Sequence, residues 1–188
     1  LFRGKIMADR KKVEEKTLDL EYVNKISNEF TFEKETITFQ LKLPGEPENY
    51  VRERYTGRGN RFYNAKEGIM KEIKRKLRAL VPPNKKTEIE DLIKNKDANY
   101  YVSLELRFFL KIPTNDSIKD TILKEYNVKR PAIRADLDNY IKLIVDTLHD
   151  VIYDDDKRVI SINSEKFYSL DPRTEINIEI EIFKKGKK

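Results

Sequence analysis

Residues 174–183 alternate without a break: Ile176, Ile178, Ile180 and Ile182 are separated by Glu175, Asn177, Glu179 and Glu181. A period of two puts the isoleucines on one side of an extended strand and the polar residues on the other. The segment therefore fits a sheet with one buried and one wet face. Residues 100–112 repeat the pattern with Val102, Leu104, Leu106, Phe108 and Leu110, and residues 36–43 with Ile37, Phe39, Leu41 and Leu43. Residues 159–168 follow it more weakly. One-sided strands need a cover, and two stretches switch to helical spacing. Residues 64–80 carry Ile69, Ile73, Leu77 and Leu80 on one stripe and stop at Pro82-Pro83. Residues 137–148 carry Leu137, Tyr140, Ile141, Ile144, Val145 and Leu148. The pattern predicts an α+β fold: a small mixed or antiparallel sheet with helices packed mainly on one face.

A chain of 188 residues suits one such domain. Residues 1–34 read as a charged, weakly amphipathic helical arm using Val13, Leu18, Tyr22, Val23 and Ile26, and residues 35–188 as the main domain. Two segments look added to that frame. One spans about 84–98, where Thr87 and Glu90 form a capping box that opens a short helix; the other spans about 114–126, a helix after Pro113. With no cysteine, the chain can build neither a disulfide framework, nor a thiolate zinc site, nor a Cys/His nucleophile system, and its single histidine is not nominated for a Ser/His/Asp one. His149 falls at a helix C-terminus, where the dipole explains it. No apolar run approaches a membrane span and no signal peptide is visible, so a cytoplasmic protein with no membrane partner is expected. The net charge of +6 favours a polyanionic partner.

Against that basic background stands an acidic string, Asp136-Leu-Asp138-Asn139, with Lys142 four residues beyond Asp138 and Asp146 four beyond that. Asp136 occupies an N-cap position, which alone accounts for an aspartate. Asp138 does not cap, and Asp138, Lys142 and Asp146 would stack on the face opposite the apolar stripe. They suit either an ion-pair ladder or part of a metal site. Asp154-Asp155-Asp156 then sets three like charges in a row before a strand, more than a solvated turn needs. If that loop returns to the helix start, four carboxylates meet in one cleft, and the hard cation suited to them is magnesium. An EF-hand is a poor alternative, because Tyr140 stands at the fifth position of the string and the turn glycine is missing.

The string Asp136-Leu-Asp138-Asn139-x-x-Lys142, then Asp146, then Asp155-Asp156-x-x-Val159, resembles the RusA family of Holliday-junction resolvases, small endonucleases usually encoded by phages or prophages. Pro44-Gly45-x-Pro47 followed by Arg52, Arg54 and Arg61-Phe-Tyr63 looks like that family's basic N-terminal loop. The resemblance covers residues 36–183 and implies a RusA-like fold with a Mg2+ cofactor (Mn2+ as a substitute). It implies Asp136, Asp138 and Asp156 as metal-site carboxylates with Asp155 beside them, and Lys142 as the lysine of the catalytic site. It further implies a homodimer that acts on branched DNA in recombination and repair and leaves a 5′-phosphate.

Arg52, Arg54, Arg58 and Arg61 are interleaved with aromatic residues and with Gly57 and Gly59, and a lysine-rich helix bearing Lys71, Lys74 and Arg75 follows. That composition reads as contact with a DNA backbone, with Lys129, Arg130 and Arg134 placed to guide a phosphate toward the acidic string. Gly57-x-Gly59 lacks the Walker pattern, so no nucleotide cofactor is expected. Two other functions remain open: a DNA-binding relative of the same fold that does not cut, and a metal-dependent phosphohydrolase of small nucleotides. The row of arginines disfavours the latter, since a small substrate needs only one or two cations.

Overall fold

The computed structural model describes residues 32–50, 54–56, 61–63, 67–132 and 135–185. Contacts divide the chain into two units, Leu1–Glu35 with Phe183–Lys188 and Thr36–Ile182. In the first, Lys184 pairs with Glu35. The expected helical arm lies outside the described residues apart from 32–34, which already belong to a strand. All that follows concerns the second unit.

Six strands are described: β1 (Phe32–Pro44), β2 (Arg54–Thr56), β3 (Arg61–Tyr63), β4 (Tyr100–Lys111), β5 (Val159–Ser169) and β6 (Arg173–Lys185). Four helices accompany them: α1 (Glu67–Leu80), α2 (Pro83–Lys94), α3 (Ile118–Glu125) and α4 (Leu137–Leu148). The main sheet has the order β1-β6-β4-β5. β4 runs antiparallel to β6, with Leu104 opposite Ile178 and Leu106 opposite Ile176. It runs parallel to β5, with Leu106 opposite Ser164 and Phe108 opposite Lys166. The sheet is therefore mixed. Along β4 the residues from Tyr100 to Leu110 alternate buried with half-exposed or exposed. The buried set packs with Ile73 and Leu77 of α1, Ile89 of α2, and Tyr140, Leu143, Ile144 and Leu148 of α4. The α+β arrangement with helices on one face is as the alternation predicts.

Three local features differ from the sequence expectations. α2 opens at Pro83 with Pro82 as its cap, so Thr87 and Glu90 lie inside the helix and form no capping box. Proline at the first helical position is already set for helix and needs no N–H there, which moves the start a turn earlier. α3 starts at Ile118, behind Ser117, whose hydroxyl accepts a bond from the Asp120 amide at 3.1 Å. The arginine-rich segment read as a loop contains the β2–β3 hairpin, in which Arg54 pairs with Tyr63 and Thr56 with Arg61.

Parallel pairing of β4 and β5 has a geometric consequence. The chain leaving the top of β4 must return to the bottom before β5 begins, and α4 is the element that makes the return. Its start lies beside the far end of β5, where the Lys166 ammonium donates to the Ala135 carbonyl at 2.9 Å. The turn after its end lies beside the start of β4, where the Arg158 guanidinium donates to the Ala98 carbonyl at 2.9 Å.

Candidate active site

Asp136 caps α4 without a side-chain hydrogen bond. It and Asp138 are exposed, and among the described residues neither carboxylate takes a hydrogen bond or an ion pair. The ion-pair ladder does not form: Lys142 pairs with neither Asp138 nor Asp146, and its ammonium instead lies 4.7 Å from the ring centroid of Tyr50. Tyr50 is tied to the same helix by its backbone N–H, which donates to the Asn139 carbonyl at 2.9 Å. In the sequence Tyr50 is simply an aromatic residue two positions before Arg52. Nothing in its spacing signals a partner 92 residues away.

The second acidic cluster divides into three different roles. Asp154 accepts from the Tyr100 hydroxyl at 2.5 Å and from Arg158 Nε at 3.1 Å. Burial alone would raise its carboxyl, but the Tyr100 and Arg158 bonds outweigh that and hold it below the usual carboxylate range. In turn, burial and the Asp154 bond push the Tyr100 hydroxyl up to about 12. Asp155 caps the short 3-10 turn Asp156–Arg158, accepting from the Lys157 amide at 3.0 Å and its ammonium at 3.2 Å. Two of the three aspartates thus have structural work within the turn, which answers the sequence-level puzzle of why so many are there. Asp156 is exposed and faces Asp146. Burial raises the Asp146 carboxyl, Lys142 opposes that, and the Asp156 charge adds to it. Between them Tyr153 is fully buried, donates to the Val145 carbonyl at 2.7 Å, and is pushed upward by burial first and then by both carboxylates.

Asp154→Asn tests the first of these roles. Because the folded carboxyl sits below its unfolded value, its stabilisation is present above the unfolded pKa of roughly 4 and is lost as pH falls through the folded one. The variant should be about 1–2 kcal/mol less stable at pH 7 in urea unfolding. The gap should narrow as the pH falls below roughly 4 and through the lowered folded value. A gap that does not change with pH would mean the carboxylate charge is not what stabilises the turn.

Of the α4 acids, the one whose carboxyl the Asp156 charge acts on is Asp146. Eight residues of helix separate Asp138 from Asp146, beside which Asp156 stands, a rise of about 12 Å. Consistently, among the described residues no three acidic or histidine side chains gather closely enough to hold a metal. Among the described residues of one chain, the expected cleft of four carboxylates is therefore not formed.

The basic residues also sort themselves. On α1, Lys71 pairs with Glu67 at 2.7 Å, Arg75 with Glu72 at 2.8 Å, and Lys74 with Asp150 at 3.0 Å. This helix therefore presents fewer free cations than its composition suggests. Lys129 pairs with Asp120, and Arg130 with Glu165 at 2.9 Å while stacking 4.3 Å from the Phe167 ring. Arg52, Arg58 and Arg134 lie outside the described residues. Arg54 and Arg61 are placed by the backbone of the β2–β3 hairpin.

Comparison with known proteins bears on the whole of this region. A family model for endodeoxyribonuclease RusA matches residues 44–179, from the end of β1 into β6, and so takes in both acidic clusters and the arginine segment. An uncharacterised protein of Bacillus subtilis (strain 168), YqaN, is 35% identical over 79 residues, which is 41% of this chain and 56% of that protein. The chain thus spans a little over half the length of that curated relative. With well over half of its residues matched, from the strand that opens the site to the strand that closes the sheet, this chain belongs to the RusA endodeoxyribonuclease family.

Proposed function

We propose that the protein is a structure-selective endodeoxyribonuclease that resolves four-way (Holliday) junctions by paired symmetric nicks, as a homodimer with magnesium as cofactor. The observation that carries the reading is the set of groups on α4: two exposed carboxylates, Asp136 and Asp138, without partners among the described residues, and one turn on an ammonium, Lys142, that forms no ion pair with either neighbouring acid. A helix kept for stability alone would pair them.

Resolvases of this family are in general dependent on a divalent metal. Carboxylate oxygens are the hard donors that magnesium, or manganese in its place, prefers. The donor chemistry therefore fits; the distance within one chain does not. Magnesium binds oxygen at about 2.1 Å, and among the described residues of one chain no three acidic side chains gather that closely. A twofold pair of chains removes the conflict. Asp136 and Asp138 of one copy, set against Asp156 and the adjoining Asp155 of the other, would make two identical sites. Magnesium held there would polarise a phosphate oxygen and supply hydroxide near neutral pH. Lys142 would stabilise the charge that builds on the phosphorane or leaving oxygen. Arg52, Arg54, Arg58, Arg61 and Arg134, with whatever Lys71, Lys74 and Arg75 add by exchanging their acidic partners for phosphate, would hold the DNA backbone. Attack by water in line with the 3′ oxygen leaves a 5′-phosphate and a 3′-hydroxyl.

Incubation with a synthetic four-way junction, with and without magnesium, tests the proposal. The expected products are symmetric nicks on opposed strands, with magnesium only. Tight binding without cutting would favour a non-cleaving DNA-binding protein, a reading that the separation of the acidic clusters within one chain also accommodates. Light scattering should report a dimer, and a monomer both free and on the junction would overturn the paired mechanism.

A further inference from the structure

We infer that Tyr50 is a positioning residue for Lys142, holding its ammonium over an aromatic ring rather than in an ion pair with the acids of its own helix. The inference rests on the nuclease reading above. Lys142 has Asp138 one turn before it and Asp146 one turn after it, the spacing at which exposed helical ion pairs ordinarily form. Neither pair is made, and the ammonium stands 4.7 Å from the Tyr50 ring centroid, within cation–π range. Tyr50 is held rigidly enough to act this way. Its ring is half-buried against the core, and its backbone N–H bonds to the Asn139 carbonyl, three residues before Lys142, at 2.9 Å. The hydroxyl makes no hydrogen bond among the described residues, so the ring face is the working part.

The choice of ring over carboxylate matters for chemistry. A lysine paired with an aspartate must first break that pair before it can meet a phosphate, and the freed aspartate would repel the same phosphate. A lysine over a ring keeps its full charge and its three N–H donors available. Tyr50 also sits two residues before Arg52 in the chain. The segment carrying the DNA-contact arginines is thus anchored, at its near end, to the residue that sets the lysine.

The test compares Tyr50→Leu and Tyr50→Phe in single-turnover junction cleavage, with thermal melts as a check on folding. Tyr50→Leu should lower the cleavage rate about 10-fold while junction affinity changes by less than about 2-fold, because the lysine acts on charge that develops in the transition state. Tyr50→Phe, which keeps the ring, should retain at least about half the rate. In a Lys142→Met background Tyr50→Leu should cost less than about 2-fold more, since two residues acting as a unit are not additive. A second readout is independent of cleavage: the ε-methylene protons of Lys142 should be shifted upfield by the ring in wild type and Tyr50→Phe, and unshifted in Tyr50→Leu. An equal loss with and without Lys142, or an unshifted lysine in the wild type, overturns the positioning role and leaves the nuclease reading intact. A wild-type protein that shows the shifted lysine but cuts no DNA overturns both.

Discussion

Asp138→Asn and Asp156→Asn should each reduce junction cleavage by about a thousandfold or more, a barrier increase of roughly 4 kcal/mol, within the range expected for losing a metal-bound carboxylate. Junction affinity should hold or rise, because each change removes a negative charge that repels phosphate. The informative experiment is the mixture. If the proposed sites are shared between two copies, co-refolded Asp138→Asn and Asp156→Asn chains give mixed dimers in which one site has lost both carboxylates and the other has lost neither. Such dimers should nick one strand of the junction and leave its partner whole. If each site belonged to one chain, both sites of the mixed dimer would be defective and no activity would return. Either single variant cutting at close to the wild-type rate would remove these carboxylates from the site altogether.

Phe108→Ala should destabilise the domain by about 3–5 kcal/mol, a large part of the roughly 5–15 kcal/mol that holds a domain of this kind folded. Phe108 is fully buried in the C-terminal half of β4, and its ring centroid lies 5.2 Å from that of Tyr140 on α4. Deleting the ring leaves a cavity under the helix that carries Asp138, two residues from Tyr140. The urea midpoint should fall sharply, while Phe108→Leu, which keeps most of the volume, should cost less than about 2 kcal/mol. A loss below about 1 kcal/mol for the alanine variant would mean that this contact between sheet and helix is not tightly packed.

What the sequence made legible was whatever one face of one element determines. β1, β4 and β6 show clean alternation because each buries one face and leaves the other open. β5 lies at the edge, with Ile160 58% and Ile162 40% exposed, and its pattern blurs accordingly. The three-residue strands β2 and β3 are too short for any period to register. The extent of α4 could be read to the residue from its apolar stripe. Its direction relative to the second acidic cluster could not, because that depends on β4 and β5 pairing in parallel, a long-range choice that leaves no mark on local spacing. For the same reason the acidic residues could be found but not sorted. Asp154 is occupied by Tyr100, 54 residues away, and Lys142 by Tyr50, and partners at such distances are invisible to motif spacing.

The sheet order also bears on how the protein is made. The first strand of the sheet, β1, has the last, β6, as its neighbour, and β4 waits for β5 and β6, both later in the chain. As the polypeptide leaves the ribosome, no pair of main-sheet strands can form until β5 has emerged, and β1 stays unpaired until β6 follows. Such late closure of distant contacts is slow and leaves apolar strands uncovered meanwhile. A ribosome that stops before residue 173 would release a chain with helices but without the strand that joins β1 to β4, a product suited to chaperone capture or proteolysis rather than to partial function.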